Sequence, residues 1–292
     1  ALHWSELTSD ASDRLLSAQN LLIAWATYPL IKALHEYAHA LVIKAWGGKV
    51  REVGIMLIVF MPVPYVDATA SYSFSSKWQR ALVAAAGILT ELFIGALALY
   101  LWIAAEPGLA RAMAFNAIMI AGVSTVLVNG NPLMRFDGYF VMTDLIEIPN
   151  LAMRAQQYWA YLADRYLFGS RAAEPPLGTA RERTWLFGYG AIAPFYRVFI
   201  ALGLALFVAE HYFFAGVLLA LAGLWGTLVM PLWKGWQHLR NSPSLGTHHD
   251  RATRRVFMIV GGLAVLLLLV PMPYYVTTEA VTRLPEAAYV RA

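Results

Sequence analysis

The chain has 292 residues, 59% of them hydrophobic and 14% charged, with a mean hydropathy of +0.55 and a formal net charge of +4. A soluble domain carries roughly 25% charged residues, so this composition excludes an ordinary soluble enzyme and points to a membrane protein. The absence of cysteine excludes a disulfide framework and thiolate metal sites, so any metal must be held by imidazole and carboxylate.

The first residue is Ala, and no short apolar stretch with a cleavage site opens the chain, so the sequence reads as an excerpt of something longer. Six apolar stretches reach the roughly 20 residues needed to cross a bilayer core as a helix. They lie near 17–47, 80–104, 111–128, 186–209, 213–233 and 255–272. Pro29 sits inside the first and predicts a kink or a break near Tyr28. Residues 49–61, rich in β-branched side chains and ending at Pro62 and Pro64, predict one or two strands lying against the membrane. Residues 150–167 mix Trp and Tyr with Arg at helical spacing, as in an amphipathic segment resting in the headgroup layer. Gly, Pro and charge mark 169–183 as a linker. The expected fold is mainly α and polytopic, with about six transmembrane helices and a small membrane-associated β element between the first two.

Lys234, Arg240, Arg251, Arg254 and Arg255 crowd the loop before the last span, which should therefore be cytoplasmic, with both termini outside. Basic loops account for the net charge, and no nucleic-acid partner is expected. His238, His248 and His249 in that loop read as solvated residues rather than a second metal site.

The first span carries HEYAH, residues 35–39. At about 3.6 residues per turn, His35 and His39 project from one helix face roughly 40° apart, with Glu36 within reach of the same side. HExxH on a helix is the pattern of zinc hydrolases, in which the histidines ligate zinc and the glutamate takes a proton from the activated water. Helix histidines satisfied by neighbours are the plain alternative. Against it, a carboxylate at bilayer depth costs about 2.5 to 3.5 kcal/mol, so Glu36 needs a cation or a wet cavity. Zinc requires a third protein ligand, and Asp137 in NGNPLMRFDGYF, residues 129–140, is the candidate. Asn, Pro, Asp and Gly are ordinary turn residues, but irregular backbone at membrane depth is tolerated only inside protein or beside a cavity. Glu91, within the second span, reads either as a partner to a zinc histidine or as part of a structural ion pair. Asp67 reads as a turn residue.

HExxH in one span and NxxPxxxxDG after a later one, as Asn129, Pro132, Asp137 and Gly138, resemble the site-2 protease family of intramembrane zinc metalloproteases. The resemblance covers roughly residues 17–150. HEYAHALVIKAWGG, PVPYVDATASYSFSSKWQR and NGNPLMRFDGYFVMTDLIEIPNL are similar to a bacterial branch of peptide zinc metalloproteases, whose members often continue into an extracytoplasmic adaptor domain. The tail PMPYYVTTEAVTRLPEAAYVRA looks like the start of one.

The resemblance implies one Zn2+ per chain held by His35, His39 and Asp137, with Glu36 as general base. It implies Asn129 as the residue orienting substrate or the oxyanion, with Asn131 close behind. It implies domains at 1–150 (metalloprotease core), 151–183 (interfacial segment and linker), 184–272 (three further helices) and 273–292 (start of the adaptor). The expected partners are membrane lipid, a peptide or transmembrane-helix substrate, and export machinery through the extension, in a bacterial inner membrane. A metal-containing export component with little proteolysis is the alternative. A di-iron desaturase is excluded because such sites use roughly eight histidines and the chain has 7.

Overall fold

The computed structural model describes residues 17–58, 60–167, 174–176 and 178–241, with isolated residues between 254 and 269. Most of the predicted last span, residues 242–253 of the basic loop, residues 169–173 and 177 of the linker and the adaptor-like tail lie outside the described residues. The protein is mainly helical, with one two-stranded sheet.

Helix α1, Ala18–Ala45, runs unbroken through Pro29, correcting the expected break. The buried residues Thr27, Ile31, His35, His39 and Ile43 recur every four residues, so both histidines lie on the stripe that faces the protein. The helix ends where Gly47 takes φ +77, with Gly48 N–H donating to Ile43 O.

Strands β1, Val53–Ile58, and β2, Met61–Val66, form an antiparallel hairpin. Pro62 and Pro64 were expected to stop the strands, yet both lie within β2, opposite Leu57 and Ile55. The register explains this: Asp67 N–H donates to Glu52 O, so positions 67, 65, 63 and 61 face β1, while 62, 64 and 66 face outward. A proline on the outward side forfeits no ladder bond. The hairpin runs back along α1, since Val66 N–H reaches Glu36 and Phe60 O accepts from Trp25 Nε1, 11 residues or about 16 Å down the helix.

Helix α2, Lys77–Ala104, is central and packs on α1, on α3 (Leu109–Met119, continuing as a π-helix over Ile120–Asn129) and on α4 (Asp137–Ile146). Its buried face is mostly small: Ala81, Val83, Ala86, Gly87 and Ala98. A Cβ on Gly87 would stand 2.3 Å from the His35 ring, so glycine sets how closely the two helices approach.

Beyond it, α5 (Leu151–Leu162) packs on α6 (Ala180–His211), which packs on α7 (Phe213–Leu224). A π turn over Trp225–Val229 leads into α8, Met230–Asn241. Lys234, His238 and Arg240 therefore belong to a helix rather than to a loop. In α5, part of the segment expected to rest in the headgroup layer, Leu151, Ala152 and Ala155 join Tyr139, Leu186 and Tyr189 in a protein core. The linker ends earlier than expected, because Thr179 and Glu182 form a capping box that starts α6 inside it.

Three helical stretches among the described residues are long and apolar enough to cross a membrane: Lys77–Ala104, Leu109–Asn129 and Ala180–His211. Helix α1 has the length, but Lys32, His35, Glu36 and His39 lower its hydropathy. The apolar part of the fifth stretch is the shorter Phe213–Thr227.

Candidate metal centre

Three elements deliver the site. Helix α1 carries His35 and His39 on consecutive turns. The helix through Asn129 ends in the turn preceding Pro132, and α4 begins at Asp137, presenting its carboxylate in the first turn. Gly138 permits this, since a Cβ there would stand 2.2 Å from Gly130 O.

The ligand atoms converge. His35 Nε2 lies 2.9 Å and His39 Nε2 3.4 Å from the same Asp137 oxygen, and the two Nε2 atoms are 3.1 Å apart. A tetrahedral zinc ion with bonds of about 2.0–2.1 Å has ligand-to-ligand edges of roughly 3.3 Å, so this triangle is nearly of the required size.

The second ring nitrogens decide what the first ones offer. His39 Nδ1 lies 2.6 Å from Val83 O, which can only accept, so the proton sits on Nδ1 and Nε2 keeps its lone pair. His35 Nδ1 lies 2.8 Å from Glu91 Oε1, although it sits off the line of a straight hydrogen bond. A carboxylate there favours the same tautomer. Two imidazole lone pairs and a carboxylate oxygen thus face one another with no proton assigned between them. Such a donor set fits a divalent cation. His35, His39 and Asp137 are the group of possible metal ligands found among the described residues.

Glu91 is fully buried, with Lys32 Nζ at 2.5 Å from Oε1 and Thr125 Oγ1 bonded to Oε2. The carboxylate therefore ties α1, α2 and the π-helical segment together behind His35. Glu91 is thus in an ion pair and lies against His35, one of the possible metal ligands.

Glu36 Oε2 accepts the Val66 N–H at 3.0 Å, which holds the carboxylate beside the histidines. Asn129 Nδ2 donates to Asp137 Oδ2 at 3.0 Å, so its amide is bound to the ligand carboxylate rather than directed at open space. Asn131 Oδ1 accepts from Leu133 N–H, which makes it a turn residue. Asp67 likewise accepts from Thr69 N–H, and its bonds to Thr69 hold its carboxyl below the ordinary range.

A cavity of about 380 Å³ opens beside the ligands, with Glu36, His39 and Asp137 on one side and Tyr72, Arg80 and Asp144 on another. Sequence reasoning overlooked Arg80 and Asp144, which pair at 3.1 Å across α2 and α4. Burial raises the Asp144 carboxyl above its ordinary pKa although Arg80 pulls the other way.

Helices long and apolar enough to cross a membrane and a His–His–Asp cluster next to a glutamate fit a membrane protein of the metallopeptidase class. Residues 28–116 match the model of peptidase family M50, which supports a site-2 protease-like family. The match takes in HExxH, the hairpin and α2 but stops before Asn129 and Asp137, so Asp137 joins the group of possible ligands on geometry alone. No curated protein and no solved structure matches the chain.

Proposed function

We propose that the protein is an intramembrane zinc metalloendopeptidase acting on a membrane-embedded or membrane-delivered peptide. The observation that carries this reading is the convergence of His35 Nε2, His39 Nε2 and Asp137 Oδ2 beside Glu36. His35, His39 and Asp137 would hold the ion, which when bound supplies Lewis-acid polarisation of a peptide carbonyl and lowers the pKa of water.

The chain's own groups do the rest. Glu36 takes a proton from the attacking water at its carboxylate and returns it to the departing amine. Asn129 holds the Asp137 carboxylate in place and so supports binding. The outward edge of β2 offers the carbonyls of Pro62 and Pro64, and the Val66 amide is given to Glu36. An extended substrate segment lying there donates its own N–H groups to those carbonyls, which requires its helix to be unwound first.

Glu36→Gln is the test, read in the full-length protein by metal analysis and in cells by comparing accumulated peptides. The variant should keep its zinc and lose about a hundred- to ten-thousand-fold in turnover. Undiminished cleavage ends the peptidase reading. Lost export with unaltered peptide processing favours the transport component instead.

A further inference from the structure

A second cavity, of about 790 Å³, lies between α5, α6, the π turn and α8, away from the metal ligands. This volume is in the range of small-molecule sites. Its walls are largely apolar, with Ala155, Trp159 and Met230 among them, and no Asp or Glu among the described residues lines it. Trp159 is pressed flat on Phe187 at 5.0 Å and fits only because position 190 is glycine, where a Cβ would stand 2.2 Å from the indole.

Two cations face this space. Lys234 stands on the α8 wall, and Arg197 projects from near the middle of α6, inside a stretch apolar enough to cross a membrane. The Arg197 side chain reaches two turns back along α6 to Tyr189 Oη at 3.5 Å. Among the described residues that phenol is its one hydrogen-bond partner, and no carboxylate lies within ion-pair distance. An arginine inside a span marks a functional site by default and calls for a named counter-charge.

We propose that this cavity binds a membrane phospholipid with an anionic head group, its phosphate between Arg197 and Lys234 and an acyl chain along the Ala155 and Met230 walls. Charge complementarity selects the anion, since among the described residues the cavity is lined by two cations and no carboxylate. The apolar walls select a lipid over a free anion, which has no use for them. Basic pockets between transmembrane helices take lipid head groups on these terms. The site is independent of the peptidase reading.

The full chain, purified in neutral detergent, is titrated with phosphatidylglycerol, with phosphatidylcholine and with inorganic phosphate, and retained lipid is counted by native mass spectrometry. Phosphatidylglycerol should be retained about tenfold or more over phosphatidylcholine. Lys234→Gln, at an exposed position, and Arg197→Gln should each reduce that preference, and Arg197→Lys should keep most of it. Equal retention of the two lipids by the unaltered protein overturns the proposal without any variant being needed. So does displacement of the lipid by millimolar phosphate, which marks a free-anion site, or an unchanged preference in both glutamine variants.

Discussion

Between α1, α2 and the π-helical segment the buried charges are met inside the protein: Lys32 pairs with Glu91, Thr125 bonds the same carboxylate with His35 close against it, and Val83 O accepts from His39 Nδ1. Around α6 the opposite holds, because Arg197 has a phenol for company and a cavity before it. Both regions place polar groups among apolar helices, and both are expensive unless something completes them. In the first, three lone-pair faces converge, a set that suits a cation. In the second, two cations share a cavity, a set that suits an anion. The chemistry of a buried site is thus read from what its surroundings leave unsatisfied.

The comparison breaks most severely if the first region does not need its metal. Asp137→Asn keeps the size of the side chain but removes the charge that makes the triangle a cation site. Zinc content should fall from one per chain to near zero, with cleavage lost, as read by elemental analysis and peptide assay. Full zinc occupancy in this variant would mean that Asp137 is not a ligand.

Next in size is the charge pair behind His35. Lys32→Met strands a fully buried Glu91, and loss of one partner from a buried pair costs about 3 to 5 kcal/mol. Chemical denaturation in detergent should report it, and Lys32→Met with Glu91→Leu should recover much of the loss. A single variant as stable as the parent would show that Glu91 is uncharged or hydrated.

Gly87→Ala probes the same region through packing alone. The added methyl meets the His35 imidazole at 2.3 Å, so either the ring turns or α1 and α2 separate. Disturbing the shell around a metal ligand typically weakens affinity about 10- to 100-fold. Competition with a zinc chelator measures this, and an unchanged affinity would place His35 outside the coordination sphere.

How much of this was legible follows from what each residue's signal depends on. The pairing of His35 and His39 on one face, with Glu36 beside them, could be read because all three lie on adjacent turns of one helix, where spacing fixes geometry. Asp137 could be read because the turn residues around it stand at the end of an apolar span, where a break needs a reason. Pro62 and Pro64 misled because a proline's meaning in a strand depends on which edge it faces, and register is set by pairing that a single strand does not encode. The Arg80–Asp144 pair joins residues 64 apart, and no local pattern marks such a contact. Arg197 carried a local signal, a charge within an apolar span, of the kind that singled out Glu91. It lacked a motif beside it to give that charge a meaning.

The smallest expected effect lies at the start of α6, in residues first read as linker. Thr179 Oγ1 accepts the Glu182 N–H at 3.2 Å, and Glu182 Oε2 accepts the Thr179 N–H while also pairing with Arg154 of α5 at 2.9 Å. Removing the cap with Thr179→Ala should cost about 1 kcal/mol. Because Glu182 also ties α6 to α5, the loosening should spread to one wall of the second cavity and not to the metal ligands, which stand on other helices. Hydrogen exchange should therefore rise over the first turn of α6 and at Arg154, while zinc affinity stays unchanged. If zinc affinity falls with it, the two regions are coupled through the core that joins Tyr139 of α4 to Leu151 and Tyr189, and the contrast between them is one of chemistry but not of mechanics.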